Sequence, residues 1–76
     1  MDKIEITWVD SRQVHGWTLL EDIDDTVCRV NTCGYLIKET QEAYTVALSV
    51  DKDFSQACGI NVIPKCCVES KTIISQ

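Results

Sequence analysis

Apolar and polar side chains alternate in short runs along this chain, and that period of two constrains the fold more than any other feature. The clearest run is Tyr44-Thr45-Val46-Ala47-Leu48-Ser49-Val50, in which Tyr44, Val46, Leu48 and Val50 share one face. Lys3-Ile4-Glu5-Ile6-Thr7-Trp8-Val9 repeats the pattern, with Ile4, Ile6 and Trp8 together. Three further strands are predicted: Val27 to Lys38, Ala57 to Ile63 with Ile60 and Val62 aligned, and Val68 to Ile74. Gly34 inside the second marks a bulge or sharp bend. Polar breaks at Glu39–Glu42 and Asp51–Gln56 are the length of hairpin connections. Pro64 ends the fourth strand because it has no amide proton for a ladder, and Pro64–Cys67 fits one 3₁₀ turn.

Between the first two strands, Asp10 to Asp25 has no strand pattern. Leu19-Leu20-Glu21-Asp22-Ile23 has helical spacing for one turn, with Thr18 as N-cap. A single turn is unstable alone, so it is expected to pack on the sheet. The order is thus strand, long loop, three strands on short turns, a 3₁₀ turn and a final strand.

With 76 residues the chain makes one domain, residues 1–76, whose shared apolar face is best buried by curling five antiparallel strands into a small barrel. That layout resembles the SH3-like and Sm-like barrels, through the long first loop and through Ile63-Pro64 leading by a 3₁₀ turn to the last strand. The chain departs from SH3 domains in having only Trp8, Trp17, Tyr35, Tyr44 and Phe54 as aromatics for a peptide groove, with Tyr44 facing the core.

Composition narrows the function classes. The net charge is −5, and the basic residues Lys3, Arg12, Arg29, Lys38, Lys52, Lys65 and Lys71 stand singly. General nucleic-acid binding draws on clustered Lys and Arg, so it is not expected. No segment is apolar for long enough to span a bilayer, and MDKIEITW lacks the basic and apolar regions of a signal peptide, which predicts a cytoplasmic protein with five reduced cysteines. Cys28-x₄-Cys33 and Cys66-Cys67 do not have the spacing of a structural zinc site, since residues one or five apart on a strand point to opposite faces. Asp51-x-Asp53-x-Ser55 begins like a calcium loop, but Gln56 and Val62 replace its glycine and closing glutamate. His15 is the one histidine, which leaves little for an activated cysteine nucleophile. No enzymatic activity, metal or cofactor is therefore expected.

Binding residues are expected in the first loop. Trp8-Val9-Asp10-Ser11-Arg12-Gln13-Val14-His15-Gly16-Trp17 combines aromatic and charged groups of the kind that anchor interfaces. Trp8 shares a face with Ile4 and Ile6 and is assigned to the barrel, whereas Trp17 fits either a barrel cap or a contact. Asp10, Arg12, His15 and Trp17 are the candidate partner-binding residues. Glu21-Asp22-Ile23-Asp24-Asp25 is a solvated loop that would also suit a basic partner.

Trp8 with Asp10, Gly16-Trp17, Thr32-Cys33-Gly34-Tyr35-Leu36-Ile37-Lys38-Glu39, Val46-Ala47-Leu48-Ser49 and Ile63-Pro64-Lys65 together resemble a group of uncharacterised small bacteriophage- and prophage-encoded proteins. The resemblance implies a compact accessory protein of the bacterial cytoplasm that binds a host or defence-system component. Two functions follow as expectations. One is a non-enzymatic, anti-defence binding module that inhibits or redirects such a protein by direct contact. The alternative is a homo-oligomer that sequesters a nucleotide-like signalling molecule between subunits, with Arg29 and Tyr35 joining Arg12 at the interface.

Overall fold

The computed structural model describes residues 1–75. Five strands form one antiparallel sheet: β1 (Lys3–Asp10), β2 (Cys28–Glu39), β3 (Ala43–Asp51), β4 (Gln56–Pro64) and β5 (Val68–Ser75). Single 3₁₀ turns occupy Leu20–Asp22 and Lys65–Cys67. The predicted strands are all present: β2 is shifted by one residue, and each of the others is longer by one residue at one or both ends.

The sheet order is β4-β3-β2-β1-β5. β2 holds it together by changing partners along its length. From Cys28 to Tyr35 it pairs with β1, and from Tyr35 to Glu39 with β3. Gly34 sits at that corner, where an added Cβ would lie 2.5 Å from the carbonyl oxygen of Ala47. A second irregularity falls between Leu36 and Lys38, so the bulge is displaced from the glycine itself. Turning the sheet there brings Ile4 and Ile6 of β1 against Val46 of β3 and Ile63 of β4, strands that are not adjacent in the ladder. Trp8, Leu36, Tyr44 and Val68 pack around this centre, and the Trp8 indole donates to the Thr32 hydroxyl at 2.9 Å. Trp8 therefore belongs to the core, as its periodicity predicts.

The ladder does not close. Among the described residues β4 and β5 make no backbone pairing, so a sealed barrel is not formed. Near that seam the Lys65 amide donates to the Glu42 carbonyl at 2.7 Å, and side chains make further contacts. The Lys65 and Lys71 ammonium groups lie 4.9 and 5.0 Å from the centre of the Tyr44 ring, and Lys65 also meets Glu39 at 2.7 Å. Lysine thus fastens β5 to β3 where hydrogen bonds leave off.

The short turns are built from side-chain acceptors. The Thr40 hydroxyl accepts the amides of Glu42 and Ala43, at 3.2 and 3.1 Å. The Asp51 carboxylate accepts the amide of Asp53 at 3.1 Å, and Ser55 takes a left-handed φ of 53°.

Leu48 departs from its sequence pattern. Alternation groups it with Val46 and predicts a core position, where truncation would cost about 2–5 kcal/mol. Beyond Ala47, however, β2 has left β3 to pair with β1, so no strand flanks β3 on that side and Leu48 is 70% exposed. Leu48→Ala is accordingly expected to cost less than about 1 kcal/mol in the single chain, as measured by urea unfolding at high dilution.

Candidate functional site

Asp10 and Cys28 are paired at the ends of β1 and β2, so the 11–27 segment leaves and re-enters the sheet at one point. Its neck is clipped shut. The Arg12 guanidinium donates to the carbonyl of Asp24 at 3.0 Å and lies 3.4 Å from the Asp24 carboxylate. The same carboxylate accepts the Thr26 amide at 2.9 Å. Hydrogen bonds from Thr26, followed by Arg12, hold the Asp24 carboxyl below its ordinary range. Arg12, expected to face a partner, spends its guanidinium on this clip, and its second role is to shape the arm.

Beyond the neck the chain is an exposed arm. Every residue from Ser11 to Val27 is solvent-exposed, and Trp17 is completely so, at 104%. Gly16 precedes it with a φ of 93° and open space around its Cα, which turns the chain outward. The 3₁₀ turn at Leu20–Asp22 has Leu19 at its N-cap position with no side-chain cap, and none of its residues is buried. This corrects two expectations: Thr18 does not cap the turn, and the turn does not pack on the sheet. Val14, Leu19, Leu20 and Ile23 are exposed as a result. An open groove of 310 Å³ runs between Arg12, Val14, Thr18 and Ile23.

Of the four predicted partner-binding residues, His15 and Trp17 lie on the arm, Arg12 at its neck and Asp10 at its root, where the Asp10 carboxylate accepts the Ser11 amide at 2.8 Å. Arg29 and Tyr35 do not join them. Arg29 is held by Glu69 at 3.1 Å, and Tyr35 lies beneath the Lys3 ammonium at 5.6 Å. The two stand six positions apart on β2, which is about 20 Å along a strand, so one chain does not present them to a single small ligand.

Sequence reasoning missed the apolar content of the arm. The available signal is the cluster Leu19, Leu20 and Ile23, whose helical spacing suits the buried side of a turn. Nothing local could show that the turn stands away from the sheet.

Two of the cysteines are held toward the thiol form. The Cys33 thiol donates to Glu5 at 3.4 Å, and this contact pushes its pKa up. Cys66 and Cys67 lie 3.9 Å apart, and contact with Cys66 pushes the Cys67 thiol up as well. Both shifts act against the thiolate that nucleophilic attack or metal ligation requires. No group of three His, Cys, Asp or Glu side chains converges among the described residues. No helix among them is long and apolar enough to cross a membrane.

No protein-family model, curated protein or solved structure matches this chain.

Proposed function

We propose that this chain is a non-enzymatic binding protein whose 11–27 arm docks on another protein and inhibits or redirects it. The observation that carries this reading is Trp17, a large aromatic with no contact in its own fold, displayed on a segment whose neck is clipped by Arg12 and Asp24. A tied arm loses less conformational freedom on binding than a free loop would. Its chemistry specifies the partner class. Trp17, Leu20 and Ile23 require an apolar depression, and Glu21, Asp22 and Asp25 around them require a basic rim. The curled sheet serves as a small barrel-like scaffold that holds the two ends of the arm. In the phage-type reading, the target is a host or defence-system protein of the bacterial cytoplasm.

The test is a pull-down from bacterial lysate with the native chain and with Trp17→Ala/Leu20→Ala. Both side chains are exposed, so the variant should melt with the native chain, within about 0.5 kcal/mol. Captured partners should be lost, because removing a central aromatic anchor costs at least about 2 kcal/mol, roughly thirty-fold in affinity. An identical set of captured proteins for both chains would remove the arm from the function.

A further inference from the structure

The outer half of the β3–β4 hairpin is a second unmet requirement, separate from the arm. From Leu48 to Asp51, β3 pairs with β4 alone, because β2 leaves β3 at Tyr35 to pair with β1, and the outer hairpin is left as a two-stranded ribbon. Such a ribbon is marginal in water. The register sets Ile60 opposite Ala47 and Val62 opposite Thr45, so both point away from the core centre, and they are 52% and 61% exposed.

β4 is also an outer edge of the sheet and lacks the usual protection of one. Gln56-Ala57-Cys58-Gly59-Ile60-Asn61-Val62-Ile63-Pro64 contains no charged residue, and its proline comes only at the end. Unpaired backbone groups along such an edge are a template for another strand. The opposite edge, β5, carries Glu69 and Lys71 and is guarded.

Charge and area identify what covers β4. In a chain of net charge −5, the uncharged edge strand β4 is the place where two copies meet with least repulsion. The chain exposes 6073 Å² of surface, whereas a compact protein of 8.6 kDa exposes about 4,700 Å². Its radius of gyration is 15.8 Å, against about 11 Å for a compact fold of this length. The surplus is shared between the exposed arm and the β3–β4 hairpin, and a standard interface takes about 800 Å² from each partner.

We infer that the free edge of β4, with Ile60 and Val62 beside it, is the site where a second copy of this chain adds to the sheet. A groove of 460 Å³ next to that edge, between Ala43, Val62, Pro64 and Lys65, receives an apolar side chain of the incoming copy.

Mass in solution tests this, by light scattering on the native chain, on Ile60→Lys/Val62→Lys and on Trp17→Ala. The native chain and Trp17→Ala should show at least twice the mass of one chain, and the lysine variant the mass of one. A native chain that stays single at every concentration overturns the inference, as does a larger mass that Trp17→Ala abolishes and the lysine pair leaves unchanged. Amide exchange of the native chain covers the case in which the lysine variant does not fold. Protection across Gln56–Ile63 should rise with protein concentration, and protection independent of concentration would count against the site.

Discussion

Val46→Asp is expected to leave this chain unfolded at neutral pH, with no cooperative thermal transition by far-ultraviolet circular dichroism. Val46 is 1% exposed and sits with Ile4, Ile6 and Ile63. There is no buried polar or charged residue among the described ones to receive a carboxylate. Burying an unpaired charge costs several kcal/mol even after relaxation, and the lost valine packing adds to it. A domain of this length has about 4–11 kcal/mol of stability in total. The folded state would avoid the charge by raising the aspartate pKa above its unfolded value. That stabilises the protonated form, so any residual structure should be greatest in acid and disappear as the pH rises through the raised pKa. A variant melting as the native chain does at neutral pH would mean that the inward face of β3 is misassigned.

Gly34→Ala should have the next largest effect, a loss of about 3–5 kcal/mol in urea unfolding. The reason is space. An alanine Cβ would lie 2.5 Å from the Ala47 carbonyl oxygen and 2.7 Å from a methyl of Val46. The first of these is backbone of the neighbouring strand, and it yields only by moving β3 away from β2. Because β2 passes from β1 to β3 at this point, that movement separates the two halves of the core. Gly16 provides the contrast. Its φ of 93° disfavours alanine, but nothing lies within 4 Å of an added Cβ, so Gly16→Ala should cost only about 1 kcal/mol. Equal costs at the two positions would show that backbone conformation, and not the close approach at Gly34, governs both.

These variants also mark which parts of the molecule were legible in the sequence. Val46 and Ile4 could be placed because a strand enforces a period of two, and a side chain's face follows from parity alone. The turns were legible for a similar reason, since Thr40 and Asp51 bond to amides two or three residues away. Leu48 shows where parity stops being sufficient. Alternation places it in the core, but its burial depended on where β2 leaves β3 for β1, which is a fact about another strand. The arm is the same case on a larger scale. Leu19 and Leu20 have the pattern of a turn that packs, and only the direction of the chain after Asp10 leaves them in solvent.

The amino-acid order by itself determined five strands, the inward faces of β1 and of β3 at Val46, the position of each turn and the exposed setting of the first loop, because each of these rests on interactions within a few residues. In β4 it aligned Ile60 and Val62, which are exposed, and the buried residue is Ile63. Tertiary structure alone decided that the ladder stays open between β4 and β5, that Arg12 closes the neck of the arm onto Asp24, and that Trp17 meets no neighbour. Those outcomes depend on distances between residues far apart in the chain, and no local period encodes such distances.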